Sequence, residues 1–138
     1  MKLKQIMTQN VVTIRPSDTL QAAARIMRDR DVGFLPVYEG NELIGVLSDR
    51  DLVIRALAEG MNPNTMLSKS LLTTPVVSSF EDQSVDDAAH LMHENQIRRL
   101  VILDRKTKQL VGVISLGDLA THVSEKISGE VLQHVSVS

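Results

Sequence analysis

The chain repeats itself, and a repeat of this length restricts it to folds built from two like halves. Leu20, Ala23, Ala24 and Met27 recur as Val85, Ala88, Ala89 and Met92 at an offset of 65 residues, and Val12 recurs at the same offset as Val77. The block Gly45-Val46-Leu47-Ser48-Asp49-Arg50-Asp51-Leu52 returns as Gly112-Val113-Ile114-Ser115-Leu116-Gly117-Asp118-Leu119, now at an offset of 67, because two residues are added between Val37 and Gly45 in the second copy. An offset that changes only in a turn is what duplication leaves. In a chain of 138 residues each copy is too small to bury a comfortable core alone, so the two are expected to pack together. The division expected from the repeat is 1–62, 63–123 and a C-terminal helical tail over 124–138, in which Ile127, Val131, Leu132 and Val135 surround Gly129.

Each copy has the pattern of a short strand, a helix, a two-stranded hairpin and a second helix. In the first, β-branched Val11 to Ile14 precede Pro16-Ser17-Asp18, a turn that opens a helix through about Arg30. Leu20, Ala23, Ala24 and Met27 fall on one stripe of that helix, and the alanines allow close approach to a sheet. Phe34 to Tyr38 and Leu43 to Leu47 are expected strands around Glu39-Gly40-Asn41-Glu42, whose glycine accommodates positive φ. Pro36 has no amide to donate, which places it at an edge or a strand start. A helix from Leu52 to Leu57 is stopped by Gly60, and Asn62-Pro63-Asn64 marks the linker. The second copy runs the same course from Val76 to Val123 with a longer hairpin turn, Asp104 to Lys108. The fold class is α/β (α+β), each repeat being a small three-stranded sheet packed with two helices.

Composition narrows the function. Net charge is −2, with basic residues scattered among acidic ones, so the chain lacks the electrostatic footprint of a nucleic-acid binder. Without cysteine it forms no disulfide, thiolate zinc site or thiol nucleophile, which fits a reducing cytoplasm. Met1 to Thr8 carry two lysines but no apolar run, and no stretch approaches the ~20 apolar residues of a membrane helix. A membrane partner is therefore not expected. His90, His93 and Glu94 have a spacing that could hold a metal on one helix face, but no further ligand cluster accompanies them. Neither serine motif contains a histidine, and Gly-x-Ser-x-Gly, Walker and Rossmann signatures are absent, so no enzymatic activity is expected.

The repeated Ser-x-x-Asp carries the chemistry. A serine at a strand end with an aspartate three residues on, at a helix start, brings a hydroxyl, free helix amides and a carboxylate around one concavity. The carboxylate can accept both hydrogen bonds of a ribose diol, the hydroxyl and amides suit phosphate, and apolar strand residues can sandwich adenine. The same spacing is also a capping box, with Ser48 and Ser115 as N-caps and Asp51 and Asp118 at N3. Both roles are compatible.

The ordered set of Gly-h-h-Ser-x-x-Asp twice (h apolar), Val32-Gly33-Phe34-Leu35-Pro36-Val37, Ile97-Arg98-Arg99-Leu100-Val101-Ile102 and the alanine-bearing helices resembles a tandem pair of CBS domains over nearly the whole chain. The resemblance implies repeats related by a pseudo-twofold axis, two clefts for adenine-containing ligands, and a homodimeric disc. By position, it groups Ser48 and Asp51 with Val77, Ser78, Arg98 and Arg99, which follow Ile97, and groups Ser115 and Asp118 with Val12, Thr13, Gly33 and Phe34. The arginines stand where kinase-regulating members have His-Arg, while Val101 and Leu116-Gly117 depart from Pro36 and Asp49-Arg50 of the first copy. The implied ligands are AMP, ADP, ATP or S-adenosylmethionine, with no required cofactor. The implied function is a stand-alone regulatory module signalling to an effector protein. The alternatives are a dimerisation or interaction scaffold with self-filled clefts and a nucleotide-processing enzyme.

Overall fold

Helix α1 (Leu20–Arg30) begins where Thr19 Oγ1 accepts the Ala22 amide and ends at Asp31, which adopts a left-handed conformation with φ 52°. At the repeat offset, α3 (Val85–Asn95) begins at a Ser84–Asp87 capping box and ends at left-handed Gln96 with φ 53°. Start and stop signals are thus duplicated along with the stripe. Ala23 and Ala88 are fully buried, but Ala24 and Ala89, expected on the buried stripe, face solvent.

The computed structural model describes residues 1–125 and divides into two compact units, one of Met1–Asn10 with the chain from Val77 onward, the other of Val11–Val76. Packing therefore cuts the chain differently from the repeats at 1–62 and 63–123. The expected tail lies outside the described residues beyond 125.

In the Val11–Val76 unit, β1 (Phe34–Glu39) pairs antiparallel with β2 (Glu42–Ser48) across a turn in which Gly40 has φ 62°. The strand expected over Val11 to Ile14 contracts to one parallel bridge. The Ile14 amide donates to the Pro36 carbonyl (3.1 Å) and its carbonyl accepts from Tyr38 (2.9 Å). Pro36 is fully buried, yet β1 has β2 as its one strand neighbour, so the expected edge position holds. Its Val46 partner directs its own amide and carbonyl away to Thr73, so the ring nitrogen lies on the Ile14 side, where the parallel ladder stops for want of a donor. In the other unit Val101 holds that position, and the parallel strand β3 (Ser78–Phe80) extends over three residues against β4 (Arg99–Leu103). Strand β5 (Leu110–Ser115) completes that sheet in antiparallel register, after a turn held by the Asp104 carboxylate on the Lys106 and Thr107 amides.

A short strap finishes each unit. At Leu3–Gln5 a 3₁₀ turn lies against the second repeat: the Leu3 amide donates to Gln83 (2.8 Å), the Lys4 amide to Glu81 (2.9 Å), and Thr8 bridges Val113. At the offset of 65, the 3₁₀ turn Ser68–Ser70 lies against the first repeat, with the Ser68 amide on Asp18 (2.7 Å), the Lys69 amide on Pro16 (3.1 Å), and Thr73 bridging Val46. The motif glycines make this possible. A Cβ on Gly112 would lie 2.5 Å from Met7 Sδ, and one on Gly45 would lie 3.0 Å from Leu72 Cβ and 3.2 Å from the Thr73 carbonyl. The repeated glycine is therefore a close-approach residue for the strap. Leu3 belongs to one aliphatic core with Leu100, Ile102 and Ile114, while Leu71 belongs to the other with Leu20, Leu35 and Leu47.

Candidate functional site

Both Ser-x-x-Asp motifs form the corner where a hairpin strand turns into a helix. The Ser48 amide donates to Asp51 Oδ2 (2.9 Å) and Ser48 Oγ accepts the Asp51 amide (3.1 Å). Ser115 and Asp118 repeat this at 2.9 and 3.0 Å. The capping role is thus realised at α2 (Asp49–Asp51) and at α4, the helix over residues 116–125. Helix α2 continues as a π-helical turn, Leu52–Leu57, with the Ala58 amide on the Val53 carbonyl (3.0 Å), and ends at Gly60, φ 72°. Each carboxylate devotes Oδ2 to its serine amide, leaving Oδ1 for other partners.

The edge beside each corner differs. Phe34 stands opposite Ser48 in the ladder and the Gly33 carbonyl accepts the Asp49 amide (2.9 Å). In the other unit Arg99 stands opposite Ser115 and the Arg98 carbonyl accepts the Leu116 amide (2.7 Å). Arg98 is exposed and Arg99 half-buried. The ladders therefore set the Ser48 corner beside Gly33 and Phe34, and the Ser115 corner beside Arg98 and Arg99. The grouping that the resemblance implies for Asp51, with Val77, Ser78, Arg98 and Arg99, joins residues of the two units, and so is a different pairing from the one within each ladder. Val12 and Thr13 lead into the Ile14 bridge, Val77 leads into β3 and Ser78 is its first residue, and Ile97 packs on the core after its amide closes α3 on the Met92 carbonyl (3.0 Å).

Sequence reasoning missed Arg55. Its Nη1 donates to the Leu71 carbonyl at 3.1 Å, lies 3.5 Å from Thr73 Oγ1, and lies 3.6 Å from Asp51 Oδ1. A cation four residues after an acid on one helix was the available signal. At the offset of 67 the residue is His122, and among the described residues Asp118 forms no ion pair.

Of the apolar residues expected on the helices after each motif, Ala56 and Leu119 are buried and Leu52 is half-buried. Val53, Leu57 and Val123 are exposed, as are Ile54 and Leu116. Asp49, Arg50, Val53 and Ile54 line a shallow surface depression. His90 pairs with Glu94 (2.9 Å) in the open, and among the described residues no three acidic, histidine or cysteine side chains gather to hold a metal. No helix among them is long and apolar enough to cross a membrane.

Comparison with known proteins fits this geometry. The family model described as CBS domain matches residues 3–57 and 68–125. The chain belongs to the CBS domain family. It is 40% identical to the CBS domain-containing protein YhcV of Bacillus subtilis over 97% of this chain and 94% of that protein. The crystal structure of Hypoxic Response Protein I, described with two coordinated zinc ions, is 33% identical at a TM-score of 0.76, covering 88% of this chain and 98% of that one. The hypoxic response protein 1 found in the sequence comparison is from Mycobacterium tuberculosis. The CBS domain pair of protein MJ0100, described in complex with 5'-methylthioadenosine and S-adenosyl-L-methionine, shares the fold at a TM-score of 0.82 and 23% identity, covering 91% of this chain and 98% of that one.

Proposed function

We propose that this chain is a regulatory module that binds an adenosine-containing small molecule at its Ser-x-x-Asp corners and passes occupancy to a partner protein, acting as a homodimer. The observation that carries this reading is the state of the two carboxylates: each is half-buried at the mouth of a helix and committed to its own backbone through one oxygen only. The second oxygen is available to a ribose diol, and at the Ser48–Asp51 corner the apolar Phe34 beside it suits a purine face. The adenosyl ligands named for the MJ0100 domain pair support the ligand class.

Within that class the Ser115–Asp118 corner suits phosphate-bearing ligands such as AMP, ADP or ATP, because Arg98 and Arg99 adjoin it. The Ser48–Asp51 corner, beside Gly33 and Phe34, suits a ligand without that charge, such as S-adenosylmethionine. Catalysis plays no part in this reading. A thermal-shift panel of these compounds on purified, ligand-stripped protein tests it. Binding at one hundred times Kd adds about 2.7 kcal/mol to stability, and a flat panel would contradict it.

One observation favours a second reading, a scaffold without ligand. Among the described residues, no buried side-chain nitrogen or oxygen lacks a hydrogen-bond partner, so the interior needs no ligand to satisfy it. A flat panel together with a stable oligomer in sedimentation would select it.

A further inference from the structure

We propose that Arg55 couples the Asp51 carboxylate to the strap that closes the same unit, so that the Ser48–Asp51 corner and the Leu71–Thr73 segment loosen or tighten together. One guanidinium nitrogen faces both. It is anchored by a 3.1 Å hydrogen bond to the Leu71 carbonyl and lies 3.6 Å from Asp51 Oδ1, the carboxylate oxygen that the capping box leaves over. The 3.5 Å approach to Thr73 Oγ1 is too long to add much. Thr73 is in turn the residue that pairs with Val46, its amide at 2.9 Å from the Val46 carbonyl and the Val46 amide at 3.2 Å from its own. The path from carboxylate to strap edge is therefore continuous.

The Arg55 side chain is 44% exposed and that of Asp51 is 17% exposed, so water screens the attraction in the empty state. A ligand that contacts Asp51 displaces water from the carboxylate. The same 3.6 Å separation then carries a larger Coulomb energy. Arg55 is held more firmly, and the Leu71 carbonyl with it. By reciprocity, a strap held in place favours the bound corner. His122 replaces Arg55 in the other unit and, among the described residues, makes no such link, although the Thr8–Val113 bridge there has the same geometry, with amide bonds of 2.9 and 3.0 Å. The molecule thus contains its own control.

The coupling itself holds whether or not a ligand exists; its use in signalling rests on the adenosine-binding reading. Amide hydrogen exchange by NMR on the full chain tests both. Without ligand, Arg55→Met is expected to speed exchange at Val46 and Thr73 by about two- to fivefold, the span of a partly exposed ion pair, while Val113 and Thr8 are unchanged. Asp51→Asn, which keeps an acceptor for the Ser48 amide and removes the charge, is expected to act in the same direction. The double variant should exchange no faster than Arg55→Met alone. Unchanged exchange in Arg55→Met, or strictly additive effects, would overturn the coupling. With S-adenosylmethionine or adenosine added, exchange at Val46 and Thr73 slows in the wild type and not in Arg55→Met. If neither compound binds, the ligand reading fails while the ligand-free measurements still decide the coupling.

Discussion

The two Ser-x-x-Asp corners have the same backbone and different electrostatics. Ser48–Asp51 and Ser115–Asp118 match in capping distances, in the strand register beside them, and in the glycine under the strap. Around that frame the first unit carries Gly33, Phe34 and an arginine on its carboxylate, and the second carries Arg98, Arg99 and a histidine four residues on. Duplication preserves what backbone hydrogen bonds and close packing demand. Positions outside that demand are free to diverge, and in a pair of like sites they are where selectivity arises.

The largest expected difference between the units is in their straps, where Leu3 and Ser68 occupy equivalent, fully buried positions. Leu3→Ala is expected to cost about 2–5 kcal/mol in chemical denaturation, as truncation of a core leucine does. Ser68→Ala should cost only about 0.5–1.5 kcal/mol, because the Asp18 carbonyl that accepts the Ser68 hydroxyl (2.8 Å) also keeps the Ser68 amide. Equal costs would mean that the straps do not hold their units in the manner described.

Gly45→Ala and Gly112→Ala come next, at about 1–3 kcal/mol each from overpacking. They differ in what yields. The Gly112 contact is chiefly the flexible end of Met7, so Met7→Ala should be less costly in the Gly112→Ala background than in the wild type. Truncating Leu72 gives no such relief at Gly45, since the contacts there are the Leu72 Cβ, which alanine keeps, the Thr73 carbonyl and Thr74 Cγ2.

Smaller again are the caps. Asp51→Ala and Asp118→Ala should each lose about 0.5–2 kcal/mol of stability in thermal unfolding. Asp118→Ala should weaken a phosphate-bearing ligand more than Asp51→Ala, a ranking opposite to the one the family grouping implied. Weakest is the Asp82–Arg105 pair of the second unit, whose bonds are both 2.7 Å and open to solvent. The Arg105 hydrogen bond holds the Asp82 carboxyl below its ordinary 3.8. A lowered folded-state value means that the contribution is present above that pH and is lost as pH falls through the folded value. The small difference in melting temperature between wild type and Arg105→Gln should therefore shrink in strong acid to what the Arg105 guanidinium contributes over the Phe80 ring, 4.4 Å away.

The helices, the hairpins and the Ser-x-x-Asp capping geometry were legible because each is fixed within a dozen residues: a stripe, a cap, a Gly40 turn, a serine three before an aspartate. The straps were not. Leu3 and Ser68 make their bonds to segments some 50 to 80 residues away, and periodicity carries no record of such pairing. Pro36 was legible as an edge residue, but the neighbour on the side of its missing amide, the single residue Ile14, was not. The arginines were legible as residues, but the register that sets Arg99 opposite Ser115 was not, because it is a pairing between separate segments.

The most direct test of two unlike corners on one frame is isothermal titration of the stripped full chain with AMP and with S-adenosylmethionine, in the wild type and in Arg98→Ala. The account predicts that Arg98→Ala weakens AMP by about tenfold or more, the scale of one charge-assisted hydrogen bond, and leaves S-adenosylmethionine unchanged. Equal weakening of both ligands, or no binding of either, would contradict it.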